Sequence, residues 1–214
     1  MDIINEIRRK VPSQEFDYQM LTWLLSGYAN PRSKIRDLLR KGAIVRIKKG
    51  IYIFGENYRN GPYSTGLLAN WIYGPSIVSM ETMLSWYGLI PERVYAMTST
   101  TTKRPKEFRT PIGLYTYQQV PIAWFPIGIT RAGSGTGIYL AATPERALAD
   151  KVRNDFRNTL NSLKDAESYL FEDLRIDEDL FGDLDPSVLL LLANAGKSRK
   201  VEFCAKLAIK MKKI

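Results

Sequence analysis

Arg32, Ser33, Lys34, Arg36 and Arg40 fall within residues 31–40, directly behind Asn30 and Pro31, and Lys48 and Lys49 follow beside Gly50. Guanidinium groups pair in bidentate fashion with guanine O6 and N7, while ammonium and hydroxyl groups reach base edges or phosphates. The chemistry these types point to is recognition of a polyanion rather than bond making. Residues 30–59 hold nine basic side chains against Asp37 and Glu56, a net of +7 in a chain whose formal charge is +9 and whose pI is about 9.6. Most of the excess charge therefore sits around these candidates. Residues 165–185 reverse the sign, with nine acidic side chains against Arg175, and the stretch from Lys197 onward is basic again. Such late blocks read as solvated helix faces, or as the faces of a protein-interaction module.

Other chemistries fail on inventory. The 214 residues include no histidine and one cysteine, Cys204, so the usual zinc sites, Cys-His dyads, Ser-His-Asp triads and any disulfide within the chain are excluded. Residues 133–137, Gly-Ser-Gly-Thr-Gly, lack the spacing of a dinucleotide fingerprint and precede an expected strand, where that motif requires a helix. Gly196-Lys197-Ser198 ends like a phosphate-binding loop, yet Leu191 stands where the first glycine must be, so a helix C-cap is expected there. Glu145 and Asp150 are the one carboxylate pair that could hold Mg²⁺ in a nuclease, but five residues apart on a helix they diverge by about 140°. The expectation is a structural role, with Arg146 available to pair with an acid. Trp71, Trp86, Tyr87 and Trp124 are expected in the core. No catalytic pair, metal site or cofactor site remains, and the chain is read as a non-enzyme.

The elements that must position the basic residues are short. Residues 2–10 predict a first helix closed by Pro12, and Phe16, Met20, Trp23 and Leu24 recur at the spacing of a buried helical face. Asn30 is a good N-cap, Pro31 suits the first helical position, Ile35, Leu38 and Leu39 give an inner stripe, and Gly42 supplies a left-handed end. Residues 44–47 and 51–54 are apolar β-formers around a turn at Lys48-Lys49-Gly50. The order is helix, helix, turn, helix, two-stranded wing, in which residues 31–41 form the recognition helix and Lys48 and Lys49 the wing tip. Beyond the turn-rich residues 59–62 the pattern mixes helix and strand: helices at 64–73 and 81–86, strands at 76–79, 94–98 and 113–120, and a glycine-rich hairpin loop into 138–142. Thr143 should cap a helix that begins at Pro144, and the pattern is helical from residue 159 to the end, with Leu160, Leu163, Ala166, Leu170 and Leu174 on one face.

Three stretches occur in an order and spacing that resemble the AbiEi family, the antitoxins of bacterial type IV toxin-antitoxin systems. They are residues 39–52 (LRKGAIVRIKKGIY), 79–89 (SMETMLSWYGL) and 143–150 (TPERALAD), and the resemblance spans residues 15–155. Where many members have histidine, this chain has Tyr87. The resemblance implies a winged helix-turn-helix that represses its own operon and a C-terminal domain that counteracts a nucleotidyltransferase toxin without a stable complex. It places Arg32, Ser33, Lys34 and Arg36 on the recognition helix and Lys48 and Lys49 on the wing.

The sequence is accordingly read as α+β: an N-terminal winged helix-turn-helix over residues 1–60, then an antitoxin-like α/β domain over 61–214 with a helical end. Its expected partner is the double-stranded DNA operator of its own operon. The alternatives are a metal-dependent nuclease and a stand-alone regulator without a toxin. The longest apolar run, residues 188–193, is far short of the roughly 20 residues a membrane span needs, so a cytoplasmic protein without a membrane partner is expected.

Overall fold

The computed structural model describes residues 3–157 and 159–212. The chain opens with helix α1 (Ile3–Lys10), strand β1 (Glu15–Asp17), helices α2 (Tyr18–Leu24) and α3 (Pro31–Arg40), and strands β2 (Ile44–Lys48) and β3 (Ile51–Phe54). The three strands form one antiparallel sheet in the order β1-β3-β2. Phe16, expected on a helix, lies in β1 opposite Tyr52. Asp17 is the reason: its Oδ1 accepts the Met20 N–H at 2.7 Å, so α2 starts one residue later and buries Leu21 and Leu25. Met20 and Trp23 turn outward instead, Trp23 with 67% exposure.

Both faces of β3 are buried, and β2 buries Ile44 and Ile47. Ile44, Tyr52 and Phe54 join the cluster formed by α1, α2 and α3, whereas Ile47, Ile51 and Ile53 belong to the larger core of the following residues. Glu15, buried to 3% exposure, accepts the amide N–H of Ser64 and ties the small sheet to the start of the next helix.

That helix is α4 (Thr65–Ile72), capped by Ser64. It is followed by β4 (Ser76–Val78), α5 (Glu81–Trp86), β5 (Met97–Thr101), β6 (Lys106–Thr110), β7 (Gly113–Gln119), β8 (Ile129–Ala132) and β9 (Tyr139–Ala142). These strands form a mixed sheet in the order β6-β7-β5-β4-β9-β8, with β4–β9 and β5–β7 parallel. The strand expected at 94–98 runs from Met97 to Thr101, and β6 was not anticipated: its alternating Lys106, Glu107, Phe108 and Arg109 are the charged pattern of an exposed edge. The helical end comprises α6 (Pro144–Asn154), α7 (Leu163–Ser168), a π-helical turn (Tyr169–Asp173), α8 (Glu178–Gly182), α9 (Pro186–Gly196) and α10 (Arg199–Met211). The molecule is thus mixed α+β with a helical C-terminus. Between α9 and α10 the left-handed residue is Lys197 at φ +49°, while Gly196 is the last helical residue and lies so close to the Trp124 ring that a Cβ would come within 2.4 Å of it.

A buried polar hub holds the large sheet to α6. Asp150, fully buried, accepts from Ser79 Oγ at 2.6 Å, Thr100 Oγ1 at 3.2 Å, Trp124 Nε1 at 2.7 Å and Arg146 Nε at 2.8 Å. Arg146 Nη1 donates to the carbonyls of Trp124, Phe125 and Ile127. Deleting one partner of such a pair leaves a bare buried charge and costs about 3–5 kcal/mol. Gly128 permits the close approach, for at φ +66° its Cβ would fall 2.7 Å from that of Arg146. Trp124 is in the core as expected, but Trp71 and Trp86 are exposed on the outer faces of α4 and α5.

Candidate nucleic-acid interface

The start of α3 is fixed by two residues. The Asn30 side chain accepts the Ser33 N–H at 3.0 Å, and Pro31 occupies the first turn, where its missing donor costs nothing. Ile35 and Leu38 face the core, and Gly42 follows at φ +66°. On a helix of about 100° per residue the opposite arc is centred on Ser33, Arg36 and Arg40, with Arg32 and Lys34 on its two flanks. All four cations are exposed and Ser33 is half-buried. Arg40 pairs with Asp37 at 3.1 Å, and the Lys34 ammonium lies 5.3 Å from the Tyr28 ring centroid. The five helical candidates are therefore brought onto one continuous surface.

Lys48 and Lys49 part company. The pairing Arg46↔Tyr52 gives way to Lys48↔Ile51, a bulge at Ile47 that turns Lys48 from the face of Arg46 to the face of Ile51. Its ammonium donates to the Ile72 carbonyl at 2.5 Å and lies 4.7 Å from the Phe108 ring centroid. Burial, together with the charges of Lys106 and Lys103, pushes Lys48 below the ordinary lysine pKa. Lys48, expected with Lys49 at the wing tip, is thus engaged with the second part of the molecule. Lys49 remains exposed beside Gly50, whose φ of +90° forms the turn.

Three exposed cations outside the sequence-derived set adjoin this region. Arg46 stands on β2 beside the hairpin turn, and Lys103 and Lys106 flank the Tyr73 ring at 5.3 and 6.0 Å. The run Lys103-Arg104-Pro105-Lys106 was the available signal, hidden because it precedes an edge strand that the pattern did not reveal. The nuclease pair does not assemble. Asp150 is spent inside the hub, while Glu145 accepts the Asp185 N–H at 3.1 Å. Among the described residues no group of three or more His, Cys, Asp or Glu side chains is placed to hold a metal ion. Cys204 is buried, which pushes its thiol up to about 12. No described helix is long and apolar enough to cross a membrane.

Comparison with known proteins finds a structural likeness. The crystal structure of the RV2827C protein from Mycobacterium tuberculosis is similar over 97% of this chain and 80% of that one, at 17% sequence identity and a TM-score of 0.48. No family model and no curated protein matches the chain.

Proposed function

We propose that the chain binds duplex DNA through a winged helix-turn-helix in its first 60 residues, with α3 as recognition helix and β2–β3 as wing, and that it represses its own operon. The observation that carries this reading is the outward arc of α3, where Ser33, Arg36 and Arg40 form a ridge between Arg32 and Lys34. A helix presented in this way fits the major groove with its first turns against base edges. Exposed Lys49 and Arg46 on the adjoining hairpin supply phosphate contacts, and Lys103 and Lys106 extend the positive field. On the AbiEi resemblance, residues 61–214 act as antitoxin, opposing a nucleotidyltransferase toxin encoded beside this gene without forming a stable complex with it.

Fluorescence anisotropy with the duplex upstream of the gene and with a scrambled duplex tests the DNA reading. If Arg32, Lys34, Arg40, Arg46 and Lys49 neutralise about five phosphates, the log-log salt slope is about −4.5, and the native duplex binds tighter than the scrambled one. A flat salt dependence, or equal affinity for both duplexes, overturns the reading. Co-expression with the neighbouring gene tests the antitoxin part separately: rescue of growth supports it, and continued toxicity overturns it.

A further inference from the structure

At the carboxyl end of β4 the backbone turns sharply into α5 through Met80, a non-glycine residue at φ +53° and ψ −135°. Beside this turn a cleft of about 630 Å³ opens between the large sheet, α5, α6 and residues 90–96. This volume matches that of small-molecule sites.

The lining has an apolar wall and a polar floor. Met80, Leu84, Ile90 and Leu174 form the wall, while Thr116, Gln118 and Glu107 belong to the sheet. Glu107 pairs with Thr116, and Thr116 with Thr98, so one row of polar side chains crosses three strands where a helix-covered sheet would carry apolar ones. Five carboxylates line the cleft with Arg93 and Lys151, of which Glu92 is held by Arg175 at 2.5 Å and Asp155 also by Arg157 at 3.8 Å. Lys151 is already held by Glu81 at 2.8 Å and by Asp155 at 3.8 Å. Glu107 takes part in no ion pair among the described residues. At the mouth Tyr95 is 84% exposed, with the Arg93 guanidinium 5.4 Å from its ring centroid, and it offers an aromatic face to a cation.

We propose that this cleft binds a small organic cation, an ammonium or guanidinium group on an apolar body, with its head at Glu107 and its body on the wall of Met80, Leu84 and Ile90. No residue of α3 lines the cleft, so the site is separate from that surface. Calorimetric titration of the full chain with phenethylamine and with its neutral counterpart 2-phenylethanol tests the assignment. The amine binds at least about tenfold tighter than the alcohol, a difference of about 1.4 kcal/mol. Glu107→Gln, on an exposed edge strand, brings the amine to the level of the alcohol without moving the unfolding midpoint, and Tyr95→Ala weakens the amine more than the alcohol. Equal affinity of the two probes, an undiminished amine affinity in Glu107→Gln, or no binding of either probe at millimolar concentration overturns the proposal.

Discussion

Arg36 lies on the outward arc of α3 less than two turns from the cap at Asn30, whereas Arg40 is a further turn along and shares its charge with Asp37 at 3.1 Å. Their substitutions should therefore differ in kind. Arg36→Ala is expected to cost about 1–3 kcal/mol on the native duplex and to flatten preference at one base pair, as loss of a bidentate guanine contact does. Arg40→Ala should weaken native and scrambled duplexes by similar factors. Titration of both variants at one fixed salt concentration separates the outcomes, and relaxed specificity in Arg40→Ala alone would mean that α3 docks the other way round. Asp155 gives a second residue-scale test. Burial raises its pKa, but the Arg157 N–H, the Lys151 ammonium and the Tyr169 hydroxyl outweigh burial and hold the carboxyl below the ordinary aspartate value. A depressed folded-state pKa adds stability above the unfolded value and loses it as pH falls through the folded one. Asp155→Asn should thus be less stable than the parent at pH 7, and urea denaturation should find the gap closing below about pH 4. Asn30 and Pro31 were legible because capping is written in adjacent residues. The exposure of Trp23 was not, because it depends on Asp17 taking the role of cap.

The β2–β3 hairpin shows where an element departs from its own pattern. Its two apolar runs and the turn at Gly50 were legible, but the bulge at Ile47 was not, since a register shift depends on the partner strand and leaves no mark in alternation. The bulge gives Lys48 and Lys49 different surroundings. Lys49→Ala should weaken every DNA sequence by a similar factor, because a phosphate contact positions without specifying. Lys48→Ala should leave DNA affinity nearly unchanged and lower thermal stability by about 1 kcal/mol, through loss of the Ile72 carbonyl and Phe108 contacts. Parallel melting and binding curves of the two variants decide this; a DNA defect in Lys48→Ala equal to that of Lys49→Ala would show that the anchor releases on binding. The motif at residues 143–150 was legible as a helix start, and Arg146 as a residue seeking an acid. That its partner would be Asp150 inside a hub joining Ser79, Thr100 and Trp124 rests on tertiary contacts between segments up to 71 residues apart.

At the scale of the whole molecule, the two cores meet on one pair of strands. A fragment ending near Asn60 keeps the cluster of α1, α2 and α3 but uncovers Ile47, Ile51 and Ile53. Exposing three isoleucines removes on the order of 5 kcal/mol, enough to leave a small unit marginal. Hydrogen exchange at the amides of residues 51–54 should accordingly be far faster in the fragment than in the full chain, and equal protection would show that the fragment needs no support. The same shared strands bear on how binding preference diverges over evolutionary time. An ordinary wing has one solvated face on which substitutions accumulate freely, but Ile51, Tyr52, Ile53 and Phe54 are all buried, and none of the four tolerates a polar replacement without injuring one core or the other. On the proposed DNA reading, new target sequences are then reachable through the outer arc of α3 and the exposed positions Arg46 and Lys49, so a lineage of such proteins would explore specificity along a narrow set of sites while β3 stands still.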